Sequence, residues 1–249
     1  MPATPIVLLH AFPLDHRLWD DVAAGLRGDR TVIAPDLPVP SELALPEPSL
    51  DAVADRVADL VRDAGGRALV AGLSMGGYVA LALLERHPDV VAGLALVDTK
   101  STADTPDAAE NRHRVADDVE AAGTVAPVRG SVATLLGEST RAARPEVVER
   151  VTGWVEEQDP ARVAWCQRAM AARPDRTEVL RAFTGPVSVV VGDEDAVTGA
   201  DAAEHMAKAA AQATLVVVPR VGHLSAVEDP AAVTTALREL AQRVDAADA

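Results

Sequence analysis

Aromatic side chains are scarce in this chain: two Phe, one Tyr and three Trp in 249 residues. A core must therefore be assembled from Val, Leu and Ala, within a composition that is 49% hydrophobic. There is one cysteine, Cys166, which excludes an internal disulfide and a cysteine-rich metal site. Such usage fits a reducing compartment. Lysine is nearly absent, with only Lys100 and Lys208, and the arginines are scattered among acids. The formal net charge is −15. Phosphate binding needs clustered Lys and Arg, so neither nucleic acid nor an anionic membrane is expected as a partner. No apolar run approaches the roughly 18 residues of a membrane span. The first residues, Met1-Pro2-Ala3-Thr4-Pro5, lack a basic stretch leading into a long apolar one, so no signal peptide is expected. The expectation is a soluble, cytoplasmic protein, either one α/β domain with an insertion or at most two small domains.

What the chain does have is a regular alternation. Short apolar runs at Ile6–Leu9, Thr31–Ala34, Arg67–Leu73, Val90–Val97, Pro186–Val191 and Ala213–Val218 read as strands. Between them lie stretches with apolar residues at helical spacing, such as Leu50, Val53, Val57, Leu60 and Val61 after a capping Ser49. Gly65-Gly66 stop that helix, and Asp229-Pro230 open a last one running to about Val244. Residues 245–249 are polar and expected to fray. Strands alternating with helices predict a doubly wound, mainly parallel sheet of about six strands. The runs are continuously apolar, as when helices cover both sheet faces. From residue 99 to residue 183 the alternation breaks. This stretch carries only helical patterns, at Asn111–Ala122, Val125–Leu136, Pro145–Glu157 and Asp159–Ala172. It predicts an all-helical cap over a core made of residues 1–98 and 184–249.

Gly72-Leu73-Ser74-Met75-Gly76 lies between a strand and a helix. A sharp strand-to-helix turn strains its central residue, and flanking glycines remove the collisions that side chains would make there. The Ser74 hydroxyl then projects near a helix amino end, where a developing anion is favoured. A serine needs a base to take its proton and a third group to orient the base. In a parallel sheet such partners come from the carboxyl ends of other strands. His223 follows the last strand and is the preferred base, with His10, after the first strand, as the rival. Asp195 is the preferred acid, ahead of Asp193 and Asp98, because Ser74, Asp195, His223 is the chain order of nucleophile-elbow enzymes. An oxyanion hole needs two backbone N–H groups. Met75, directly after the serine, and Phe12, in the loop after the first strand, are placed to supply them.

His10-Ala11-Phe12-Pro13-Leu14-Asp15, Trp19, Pro35-Asp36-Leu37, Gly72 to Gly77, Gly192-Asp193-Glu194-Asp195, and Gly222-His223 with Glu228-Asp229-Pro230 together resemble the α/β-hydrolase fold. The resemblance covers nearly all of the chain outside the insertion. It implies Ser74 as nucleophile, Asp195 as acid, His223 as base and Phe12 and Met75 as oxyanion donors, with no cofactor and no metal. Two departures stand out. Ala11 replaces the glycine usual after His10, and only five residues precede the first strand. The sheet should thus lack the family's amino-terminal antiparallel pair, leaving the strand around Thr31–Ala34 as a more exposed edge.

Two of the three tryptophans, Trp154 and Trp165, lie in the expected cap. With Met170 and His10 they are candidates for a pocket wall, or else they form the cap's own small core. The segment Ala164–Leu180 is similar to caps of the enol-lactonase-like esterase branch, which would let Arg168 or another cap arginine meet a substrate carboxylate. The expected function is a serine esterase or lactonase acting on a small molecule. A carbon–carbon bond hydrolase, or a non-hydrolytic binding or biosynthetic protein on the same fold, is the alternative. An epoxide hydrolase or dehalogenase is disfavoured, because those need aspartate where Ser74 stands.

Overall fold

Each of the six apolar runs becomes a strand of one sheet. The computed structural model describes residues 3–38 and 47–247; the first two residues of the leader reading and the last two of the polar tail lie outside them. The elements run β1 (Ile6–Leu9), α1 (Asp20–Leu26), β2 (Val32–Ile33), α2 (Leu50–Asp63), β3 (Ala68–Leu73), α3 (Met75–Arg86) and β4 (Val91–Val97). A helical segment follows: α4 (Pro106–Ala122), α5 (Ala126–Arg129), α6 (Val132–Leu135), α7 (Glu138–Ala143), α8 (Pro145–Glu156), α9 (Pro160–Ala171) and α10 (Thr177–Ala182). The chain then returns through β5 (Val187–Gly192), α11 (Gly199–Ala209), β6 (Ala213–Val218), α12 (Ser225–Glu228) and α13 (Pro230–Ala247).

The strand order is β2-β1-β3-β4-β5-β6, and every neighbouring pair is parallel. No antiparallel pair precedes β1 among the described residues. The chain steps outward from β1 to β2 and then back to β3 on the other side of β1. The direction of winding thus reverses between β1 and β3, and the loops leaving their carboxyl ends part there to open a crevice.

Alternate residues of the central strands feed two cores. Ile6, Leu8, Leu69, Ala71 and Val97 face α1, α13 and much of the helical segment. Val7, Leu9, Val70, Leu96 and Val189 face α2, α3 and α11, with Cys166 and Met170 of α9. Ser49 caps α2 through a bond from the Ala52 N–H, and Gly65 and Gly66 end it with φ of 132° and 89°.

Three expectations change. Helices do not cover both faces of every strand: β6 is an edge, and α11, which packs against it, leaves Leu215 and Val217 40% and 52% exposed. The edge β2 has shrunk to two half-buried residues. The helix expected over Val125–Leu136 is two short ones, α5 and α6, and α7 and α10 are additional. Among the described residues no helix is long and apolar enough to cross a membrane.

Candidate active site

Ser74 occupies the turn between β3 and α3 with φ 52° and ψ −112°. For a residue with a Cβ this is strained, by about 1–3 kcal/mol. The backbone holds it there from several sides. Its N–H donates to the Val97 carbonyl at 3.0 Å, and its carbonyl accepts from Gly77 N–H and from the Thr99 hydroxyl at 2.8 Å. The flanking glycines are required by close approach. A Cβ on Gly72 would stand 2.2 Å from the Gly76 carbonyl oxygen, and one on Gly76 would stand 2.0 Å from the Leu9 carbonyl oxygen. Only without those atoms can β1, β3 and α3 converge under the serine.

His223 lies in the loop after β6 and is 1% exposed. Its Nδ1 is 3.0 Å from both carboxylate oxygens of Asp195, which sits after β5. An ionised carboxylate only accepts, so Nδ1 carries the hydrogen and Nε2 is left as the basic nitrogen. Nε2 has no hydrogen-bond partner among the described residues. Asp195 also accepts from Val197 N–H at 2.8 Å and from the Thr198 hydroxyl at 2.6 Å. Burial alone would raise its pKa. The bonds from His223, Thr198 and Val197 outweigh that and hold the carboxyl well below the usual carboxylate range.

The rival acids do other work. Asp193 accepts from the backbone N–H groups of Arg220 and Val221. Asp98 is fully buried at the end of β4, with φ 42°. One of its oxygens accepts from Gly192 N–H at 2.9 Å and the other from Ser225 N–H at 3.0 Å. It therefore ties together the loops that carry Asp195 and His223. Burial, reinforced by the nearby Asp195, raises its carboxyl to about 7, against the opposing pull of His223 and its own hydrogen bonds.

His10, the rival base, is tied up in the loop after β1. Its Nδ1 is 2.9 Å from the Ala11 carbonyl, which can only accept, so Nδ1 is the donor. Nε2 then accepts from Leu37 N–H at 2.7 Å and from Arg162 at 3.1 Å. Burial, together with the Arg162 charge, lowers its pKa to about 4 despite the bond to Ala11, so the ring is neutral. The N–H groups of Phe12 and Met75 find no acceptor among the described residues.

A small cavity of about 10 Å³, room for about one water, lies beside them. The sheet side of its wall includes His10, Phe12 and Met75, and the helical side includes Gln158, Arg162 and Cys166. Ser74 does not line it, but its chain neighbour Met75 does. Of the cap residues singled out in the sequence, none belongs to this wall. Arg168 faces α4 instead, paired with Asp117 at 2.7 Å and Glu120 at 2.5 Å. Trp154 packs on the core between the guanidinium groups of Arg150 and Arg17. Trp165 and Met170 pack against the other core. Arg162, Gln158 and Cys166 were the residues to find. Cys166 is a buried helical residue, and Arg162 lies four residues before it, on the same face of α9.

Asp15, His16 and Asp36 lie close enough to share a metal ion. Their atoms are already partnered: Asp15 by Arg17 and Gln158, and Asp36 by His16.

The helical segment is fastened to the loops of the site. His223 N–H donates to the Leu135 carbonyl at 3.0 Å. The buried Glu228 accepts from Gly137 N–H at 2.9 Å on one oxygen and from Gly222 N–H at 3.0 Å on the other. Glu194 accepts from Ser139 N–H and from the Ser139 hydroxyl at 2.8 and 2.5 Å.

A family model described as the alpha/beta hydrolase family matches residues 6–236. The solved structure of a thermophilic esterase from Thermogutta terrifontis, with malate bound, is 38% identical, with a TM-score of 0.90 over 97% of this chain and 90% of that one. The enol-lactonase from Burkholderia xenovorans is 24% identical and shares the fold, with a TM-score of 0.84 over 96% of this chain and 89% of that one. The pimeloyl-[acyl-carrier protein] methyl ester esterase of Neisseria meningitidis serogroup C is 27% identical over 240 residues, 88% of this chain and 86% of that protein.

Proposed function

The chain belongs to the alpha/beta hydrolase family, and we propose that it is a serine hydrolase cleaving a small carboxylic ester or lactone. The observation that carries this reading is the strained Ser74 turn, together with a His223 whose Nδ1 is bound to Asp195 and whose Nε2 is left without a partner.

In this reading His223 Nε2 takes the Ser74 proton as Oγ attacks the carbonyl carbon. The oxyanion that forms accepts from Met75 and Phe12 N–H. The protonated ring, its charge balanced by Asp195, returns the proton to the departing alkoxide, leaving an acyl-enzyme. Water, deprotonated by His223, then attacks the acyl carbon and releases the acid. The elbow holds Ser74 in its reactive position before substrate arrives, so that orientation is settled at folding. The helical segment of residues 99–183 acts as the cap and shields the reacting atoms from bulk water.

Hydrolysis of p-nitrophenyl acetate, butyrate and octanoate by wild type and by Ser74→Ala tests this. Turnover is expected from wild type alone, with the short acyl chains preferred because the cavity is small. A fluorophosphonate probe should label wild type and leave Ser74→Ala unlabelled. Equal turnover by the two proteins would sink the reading.

A further inference from the structure

We propose that Asp98 and Thr99, side by side at the end of β4, are positioning residues that hold Ser74, Asp195 and His223 in register with one another. The proposal rests on the esterase reading above and names what aligns its three side chains. Those three stand after different strands, Ser74 after β3, Asp195 after β5 and His223 after β6. In the strand order β3-β4-β5-β6, β4 lies between the nucleophile and the acid. Its end touches all three loops. The Val97 carbonyl accepts from Ser74 N–H at 3.0 Å, and the Thr99 hydroxyl donates to the Ser74 carbonyl at 2.8 Å. Asp98 accepts from Gly192 N–H, just before Asp195, and from Ser225 N–H, just after His223. The side-chain bonds span 25, 94 and 127 residues of sequence, and they meet on two neighbouring residues.

Both side chains are buried, Asp98 completely and Thr99 nearly so. A bond lost here leaves a buried backbone group unpaired, so its loop must shift to find another partner. Asp98 is also fixed from behind. Its N–H donates to the Val190 carbonyl at 2.8 Å, and its φ of 42° is a setting that persists only where the surroundings impose it. Thr99 is wedged against α3, where a Cβ on Gly77 would overlap its side chain. A carboxyl is needed at position 98 because two backbone donors approach it, one on each oxygen. Each oxygen keeps a lone pair whether or not the group is protonated, whereas an amide offers one acceptor and one donor. Asp193 joins the same two loops at Arg220 and Val221, but it belongs to the acid's own loop and reaches only the base. Asp98 and Thr99 couple nucleophile, acid and base through one strand end.

The test measures p-nitrophenyl acetate turnover by Asp98→Asn, Thr99→Val and Thr99→Ser, and by Asp98→Asn in the Asp195→Asn background. Asp98→Asn sets an amide N–H against the N–H of Gly192 or Ser225. A resulting misplacement of about 1 Å should lower kcat about 100-fold with KM little changed. Thr99→Val should lower kcat as well, and Thr99→Ser should restore it. Residues that act as a unit are not additive, so Asp98→Asn should cost far less in Asp195→Asn, where the acid no longer orients the base. The proton resonance of His223 Nδ1–H, identified by its loss in Asp195→Asn, gives a readout independent of turnover. It should shift or broaden in Asp98→Asn and stay in place in Thr99→Val. If Asp98→Asn does not fold, the loss in Thr99→Val and its rescue in Thr99→Ser decide. If wild type cleaves the ester and both Asp98→Asn and Thr99→Val keep its kcat, or if Asp98→Asn costs the same factor in both backgrounds, the positioning role is refuted and the esterase reading stands. If no ester is cleaved while the resonance still responds to Asp98→Asn, the esterase reading falls and the positioning role stands.

Discussion

Gly76→Ala adds one methyl group at the most crowded point beneath Ser74. The new carbon would stand 2.0 Å from the Leu9 carbonyl oxygen and 2.9 Å from the Leu9 Cβ. Side-chain movement cannot relieve a contact with backbone. An ordinary contact needs about 3.4 Å, so β1 and the start of α3 must separate by more than 1 Å or the turn must refold. Overpacking of a core with no soft neighbour costs about 3 kcal/mol. At about 2–4 °C per kcal/mol for a chain of this size, the melting temperature should fall by about 6–12 °C. The separation also carries Phe12 N–H, three residues beyond Leu9, away from Met75 N–H. A misplacement of about 1 Å at such a site is worth about 100-fold in rate. Gly153→Ala on α8 is the control, since its new carbon meets nothing within 4 Å. There the better helix propensity should stabilise by about 0.5–1 kcal/mol. Thermal unfolding and p-nitrophenyl acetate turnover of both variants decide the matter. A Gly76→Ala protein with wild-type melting temperature and wild-type rate would refute the geometry described for the elbow.

Asp195→Asn keeps the shape of the site but no longer fixes the His223 tautomer, and kcat for p-nitrophenyl acetate should fall by about 10⁴ with the fold intact; circular dichroism and steady-state rates check this. Asp98 is protonated in the folded protein up to about pH 7, against a usual value of 3.8. The folded state therefore binds the extra proton between those values, and wild-type stability falls as pH rises through that window. Asp98→Asn does not titrate, so its stability relative to wild type should improve from pH 5 to pH 7 by something on the order of 2 kcal/mol. Urea midpoints at several pH values measure the difference, and a constant one would contradict the burial argument. Asp104→Ala removes both carboxylate bonds from Arg173, whose side chain is 2% exposed. The stranded charge should cost about 3–5 kcal/mol in urea unfolding. Asp117→Ala, at an exposed pair, should move the midpoint far less.

The core was legible because a parallel strand covered on both sides is an unbroken apolar run, and because each run ends at a residue with evident chemistry. Ser74, His223 and Asp195 stand at such ends, and the structure brings the last two into contact. The edges were less legible. β6 has the same apolar composition as β5, and nothing in Ala213–Val218 says that Leu215 and Val217 have no cover. The cap was hardest, since its helices are short and bury residues against several partners at once. Arg162 and Arg168 share one helix and one residue type, and only the turn of that helix sends one to the cavity and the other to Asp117 and Glu120 on α4. Periodicity anchored on Cys166 would have separated them. Glu228 read as part of a motif before the last helix, whereas its carboxylate reaches Gly137, 91 residues away in sequence. No local pattern carries that kind of information.

Because Glu228 grips Gly137 and Gly222 together, and His223 N–H is bonded to Leu135, the helical segment and the loop of His223 are tied to one another at three amides. In deuterium-exchange terms, the amides of Gly137, Gly222 and His223 should open together, with a common protection. Lifting the helical segment at Leu135 and Gly137 therefore also removes a hold on the loop of His223, leaving the ring to its bond with Asp195.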